Sequence, residues 1–313
     1  MSTTSIYRIA EHYVRINFAD SDINNTKLIT SFEPFKTEGP NGDFLFTLTV
    51  DDTLRPITKE RRERIDTFDT GNGDTVVDNI VDGGYQYIIK DIQGRSCCLL
   101  QTNADFSKGS CALNGDMQMR KFGLNNALMM MYAFRGSFFD TLLIHASLVR
   151  HNGFGYAFIA KSGTGKSTHT QLWLKYIEGC DLMNDDNPIV RIIDRQAYIY
   201  GSPWSGKTPC YRNVKARLGA ITQIVRAKAN SIERLSPTIA FTYILPACST
   251  MRWDKTIFRN AYDTVIKLIE TSPYNYALHC LPDKEAATLC HATITAPHHC
   301  DACNQPDNTY QAK

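Results

Sequence analysis

The sequence has no uninterrupted apolar run of the roughly 18 residues that a membrane-spanning helix requires. It also has almost no excess of one charge: 34 Lys and Arg against 32 Asp and Glu leave a net charge of +2. That balance gives no electrostatic argument for a nucleic acid or an anionic membrane as partner. The one small basic knot, Arg61-Arg62-Glu63-Arg64, reads as a solvated surface. Internal repeats are absent. The opening residues, Met1 to Arg8, lack the charged and then apolar order of a signal peptide, so a cytoplasmic location is expected. Cysteine is not scarce, with ten residues, but Cys97, Cys98, Cys248 and Cys280 sit inside apolar runs and no export signal accompanies them. Reduced, buried thiols are expected rather than disulfides.

A hydrophobic content of 43% and a charged content of 21% describe an ordinary globular chain, and 313 residues suggest two domains. Residues 1–120 read as mainly β. Tyr13–Phe18, Phe44–Val50 and Tyr85–Ile92 carry β-branched and aromatic residues in partial alternation, and the Gly-rich stretches inside 66–84 look like hairpin turns. No chemical motif falls in this part, which is expected to be an accessory or docking domain. From Phe122 to Arg135, apolar residues recur at helical spacing, and the domain junction is placed just before them. Thr141–Val149 reads as one apolar strand, Arg150-His151-Asn152-Gly153 as a turn, and Tyr156–Ala160 as its hairpin partner. Strands mixed with helices then continue to about residue 295, an α/β nucleotide-binding domain over 121–295. Residues 296–313 form a polar tail. There Cys290, His291, His298, His299, Cys300 and Cys303 could hold zinc, but their spacing fits none of the common structural zinc patterns, and a loosely ordered tail is expected.

The most informative segment is Ser162-Gly163-Thr164-Gly165-Lys166-Ser167-Thr168, between a strand-like and a helix-like run. Small residues let successive backbone N–H groups converge on an anion, and the following helix turns its positive end toward it. Lys166 can reach β- and γ-phosphates, and the Ser167 hydroxyl can hold Mg²⁺. Ala160 stands where the usual phosphate-loop pattern has glycine, which is tolerable if that residue keeps a negative φ.

A phosphate loop alone binds; the chemistry must come from elsewhere. Asp185-Asp186, within Asn184-Asp185-Asp186-Asn187, supplies two carboxylates at the end of a short strand, where adjacent side chains diverge. One can face the metal held by Ser167 and the other an acceptor hydroxyl as general base. A plain turn is the alternative, since the flanking asparagines are turn formers. His145, in an apolar strand, is either a core residue or a partner that tunes Asp185. Trp204 and Lys207, in Gly201–Thr208, form either a loop that clamps substrate or phosphate or a rigid connection with one aromatic anchor.

His145-Ala146-Ser147, Lys161–Ser167 and Asn184–Asn187, in that order, resemble the C-terminal catalytic domain of the HPr kinase/phosphorylase family, itself similar to the nucleotide-binding part of ATP-dependent phosphoenolpyruvate carboxykinase. The resemblance covers roughly 140–285. It implies a P-loop fold of that type and a Mg-ATP-dependent kinase, with Asp185 as base or acid, His145 as its partner, Lys166 as phosphate clamp and Ser167 and Asp186 as metal ligands. It also suggests a homo-oligomer. The signature segment that HPr kinases carry after the aspartates has no counterpart here, the Trp204–Lys207 loop occupying that region. The acceptor is therefore expected to be a hydroxyl of another protein, a peptide or a small molecule. A carboxykinase-like reaction and a non-catalytic nucleotide-binding regulatory module are the rival readings.

Overall fold

The computed structural model describes residues 2–298 except Asn41, and it is a mixed α/β protein built on two large sheets. The first contains β1 (Thr3–Ile9), β2 (His12–Phe18), β3 (Lys36–Thr37), β4 (Phe44–Val50), β5 (Arg62–Asp69), β6 (Asp74–Ile80), β7 (Tyr85–Lys90), β8 (Ser96–Thr102) and β9 (Lys108–Leu113). Their order is β3-β1-β2-β4-β9-β8-β7-β6-β5. The expected turns are there: Gly71 and Gly73 take positive φ between β5 and β6, and Gly83 and Gly84 do so between β6 and β7.

Helix α1 (Met117–Gly136) starts where the Asp116 carboxylate accepts the amides of Gln118 and Met119, the usual way to satisfy orphan N–H groups at a helix start. It packs against the first sheet. Leu124, Leu128, Met131 and Tyr132 bury themselves in the core of the first sheet. The expected boundary at 120/121 therefore falls inside this helix. Gly123 permits the contact, because a Cβ there would lie 2.8 Å from the carbonyl oxygen of Cys97 on the sheet. The same core takes in Leu143, Tyr200, Trp204 and Met251, so the two halves share one apolar interior.

The second sheet contains β10 (Thr141–Leu143), β11 (Ala146–His151), β12 (Phe154–Ile159), β13 (Asp181–Asp186), β14 (Ile189–Ile193), β15 (Gln196–Tyr200), β16 (Lys215–Arg226), β17 (Ser231–Arg234) and β18 (Asn275–Cys280). The order along its main path is β10-β14-β15-β16-β12-β11-β13, with β18 paired to the far half of β16. Helices α2 (Lys166–Tyr176) and α5 (Lys284–Thr295) cover one face, and α3 (Pro237–Ala247) and α4 (Lys255–Thr271) the other. The hairpin β11–β12 forms as expected on Asn152 and Gly153, both at positive φ.

One expected strand is two. The run Thr141–Val149 breaks at Ile144–His145: β10 pairs with β14, while β11 pairs with β12 and β13. At the break the His145 amide donates to the Ala247 carbonyl at 2.7 Å, which compensates for the interrupted ladder. The first residues of the expected tail are part of the fold. Residues 296–298 continue α5 as a tight turn, and the buried His298 stacks on Phe154 at 4.3 Å. His299, Cys300 and Cys303 lie outside the described residues. The described cysteines are all free, and all but Cys180 are buried. No helix among the described residues is long and apolar enough to cross a membrane.

Burial also sets a pH response. It pushes His169 down to about 4 and, helped by the Arg191 charge, His12 down to about 3. Both rings are neutral in the fold but take a proton near pH 6.5 when the chain unfolds. The unfolded state then holds more protons as pH falls below that value. Stability is expected to be intact above pH 6.5 and to drop by up to about 1.4 kcal/mol per pH unit per histidine below it. Equilibrium denaturation at pH 7.5 and pH 5 checks this; a stability equal at the two values would contradict it.

Candidate functional site

The glycine-rich loop leaves the end of β12 and runs into α2. Gly163 and Gly165 sit at φ of 75° and 128°, conformations that L side chains rarely adopt, and the space above both is open. Ala160 is not among the residues with positive φ, so its methyl group is accommodated. Arg226, at the end of β16, fixes the loop from behind: its guanidinium donates to the carbonyl oxygens of Gly163 and Thr164. With its carbonyls held, the loop can turn its amides outward. Beside Thr164 and Thr168 lies a cavity of about 440 Å³ whose walls include Leu172, Ile224, Leu281 and Pro282.

Lys166 and Ser167 form the first turn of α2. Lys166 is buried, its ammonium 2.6 Å from His145 Nε2 and 3.2 Å from the Ala160 carbonyl oxygen. Burial lowers its pKa, and the Asp186 and Asp185 carboxylates offset part of that drop. With two of its three N–H donors used, the ammonium has one left for an incoming anion.

The two aspartates part company at the end of β13, with hydrogen-bond partners that differ from the expected pairing. The Ser167 hydroxyl donates to Asp185 Oδ1 at 2.8 Å, not to Asp186. His145 Nδ1 lies 3.1 Å from Asp186 Oδ1, not beside Asp185. The cause is strand register. Ser147 on β11 stands opposite Asp185, so Asp185 points at the helix side and accepts from Ser147 Oγ at 2.5 Å. Asp186, opposite Ala146, turns the other way, toward the residue freed by the strand break. Asp185 is 3% exposed, whereas the Asp186 side chain keeps 33% of its surface.

Asn184 is fully buried and holds the following loop. Its carboxamide NH₂ donates to the carbonyl oxygen of Trp204 at 3.0 Å, while its Oδ1 accepts the Asn187 amide at 2.9 Å. Gly206 approaches so closely that a Cβ would stand 2.7 Å from the Asp185 carbonyl oxygen. The loop thus clamps the carboxylates, and not through its tryptophan's open face. Trp204 is buried, edge-on to Phe32 at 5.6 Å and 5.4 Å from the Tyr132 ring, with its indole N–H donating to the Asn125 carbonyl. It is the anchor of the two alternatives the sequence left open. Lys207 is exposed beside the site and pairs with no carboxylate among the described residues.

Asp186 looks into a cleft of about 630 Å³ between the second sheet and the helical side of the first half. Ser147 and Arg226 are contributors that the sequence reading did not single out. Ser147 lies two residues after His145, but its role depends on register; Arg226 carries no local signal. Among the described residues no cluster of three or more His, Cys, Asp or Glu side chains forms a closed metal site. The donors Ser167 Oγ and the Asp185 carboxylate are hard oxygens of the kind Mg²⁺ takes, usually one or two from protein with the rest from phosphate and water. A scan against protein-family models gives no match, and a search of curated proteins gives none either.

Proposed function

We propose that this protein is a Mg-ATP-dependent phosphotransferase with a P-loop fold of the HPr kinase type, moving the γ-phosphate of ATP to an acceptor hydroxyl. The observation that carries the reading is the separation of the two carboxylates: Asp185 bonded to Ser167 beneath the helix start, and Asp186 held by His145 at the cleft. In this reading the loop amides, the start of α2 and Lys166 hold the phosphates. The cavity lined by Leu172 and Leu281 receives the nucleoside and lies in the usual size range of roughly 300–1,000 Å³ for such sites.

Ser167 and Asp185 would hold Mg²⁺, which when bound neutralises charge on the phosphate oxygens. Asp186 accepts the proton of the acceptor hydroxyl as the new O–P bond forms. The bond from the γ-phosphorus to the bridging oxygen breaks, and ADP leaves with its electron pair. His145 fixes the Asp186 carboxylate and touches Lys166 as well, tying the base to the phosphate clamp. Exposed Lys207 is available as a second cation for the transferred group.

The test is transfer of labelled γ-phosphate from Mg-ATP into the proteins and small molecules of a cell lysate. A labelled acceptor that requires the intact chain is the expected result. Bound ATP with no labelled acceptor under any condition contradicts it.

A further inference from the structure

The cleft in front of Asp186 is built by both halves of the chain. One wall comes from Ser31, on the helical turns that follow β2, and from Phe122, Asn125 and Met129 of α1; the opposite wall comes from Trp204 and Tyr211. Its chemistry is close to uncharged. Besides Asp186, the only charged lining residues among the described ones are Asp91 and Lys121, and Asp91 is taken up by Arg95 at 2.8 Å. A carboxylate or phosphate on the ligand would face Asp186 with the single lysine as counter-charge, a poor exchange for its hydration.

Neutral hydrogen-bonding groups, by contrast, are waiting there. The Ser31 hydroxyl, the Asn125 carboxamide and the Tyr211 hydroxyl line the cleft, and none has a hydrogen-bond partner among the described residues. Two other carboxamides of the lining are engaged: Asn126 donates to the Phe122 carbonyl at 2.8 Å, and Asn187 to Asp186 at 2.7 Å. A hydroxyl and a carboxamide each donate and accept, which matches the N–H and C=O of an amide. Phe122, Met129 and Trp204 supply apolar surface beside them.

We propose that this cleft is the acceptor site, that the N-terminal half selects the acceptor, and that the acceptor hydroxyl is carried on an uncharged amide skeleton. The proposal rests on the phosphotransferase reading. The reaction is the one already balanced: the acceptor O–H proton goes to Asp186, the acceptor oxygen bonds the γ-phosphorus, and ADP departs. Such a skeleton can belong to a segment of peptide or to a small amino-acid amide.

The probes are acetylated and amidated tripeptides with central serine, flanked by Ala, Phe or Asp, and N-acetylserine amide. They are offered with Mg-ATP to the full chain and to its Ser31→Trp and Asn125→Leu variants. Phosphorylation is read by mass spectrometry and probe binding by calorimetry. The neutral probes are expected to be phosphorylated with kcat/KM about tenfold or more above the Asp-flanked one, and both variants to raise acceptor KM by about tenfold with little change in kcat. Phosphorylation of tripeptides alone assigns a peptide segment, and equal use of N-acetylserine amide assigns the small compound; either supports the shared chemistry. Preference for the Asp-flanked probe, or an unchanged KM in both variants, overturns the proposal and leaves the kinase reading standing. Probe binding that Ser31→Trp abolishes, without any phosphorylation, keeps the cleft as a ligand site and removes the kinase reading. The absence of both binding and phosphorylation overturns the proposal.

Discussion

Asp186→Asn is expected to lower the rate of phosphoryl transfer by about 10²- to 10⁴-fold, the usual worth of a positioned general base, with Mg-ATP binding retained. Asp186 is the carboxylate that faces the cleft proposed to receive the acceptor, with His145 at 3.1 Å and Asn187 at 2.7 Å holding it in place. An asparagine keeps the shape and the contact with His145 but cannot take up the hydroxyl proton. Raising Mg²⁺ should not restore the rate, since the lost function is proton acceptance. Single-turnover transfer with saturating Mg-ATP checks this.

Asp185→Asn is expected to act on the metal. Asp185 is buried, accepts from Ser147 and Ser167, and receives the Thr208 amide at 3.3 Å. Losing its charge should weaken Mg²⁺ affinity in the ATP complex by about tenfold to a hundredfold, so that excess Mg²⁺ recovers part of the transfer rate. It should also cost about 1–3 kcal/mol of stability, because three donors converge on a group that no longer accepts at both oxygens. Magnesium titrations of nucleotide binding and a denaturant melt separate the two effects.

The sequence made local features legible. Tyr13–Phe18 and Phe44–Val50 are strands because their β-branched and aromatic residues fit a pleated, half-buried surface. Ser236-Pro237 starts α3 because its hydroxyl accepts the Ile239 amide while proline needs no partner at the first turn. The glycine-rich loop was recognisable because its flanking strand and helix carry their own patterns.

What depended on distant partners was not legible. Thr141–Val149 reads as one strand since no turn residue marks the break; the break exists because β10 leaves to pair with β14. Which aspartate meets Ser167 follows from the register of β13 against β11, set by residues far apart in the chain. Likewise, burial of Trp204 required knowing that α1 and Phe32 cover it, and the helix, which the sequence places at the start of the second half, packs on the first sheet.

The division of labour between the two carboxylates is tested most directly by phosphoryl transfer measured across a magnesium series for Asp185→Asn and Asp186→Asn side by side. The geometry predicts that excess Mg²⁺ raises the rate of the Asp185 variant and leaves the slowed rate of the Asp186 variant unchanged. Rescue of the Asp186 variant by Mg²⁺, with the Asp185 variant inactive at every concentration, would contradict it.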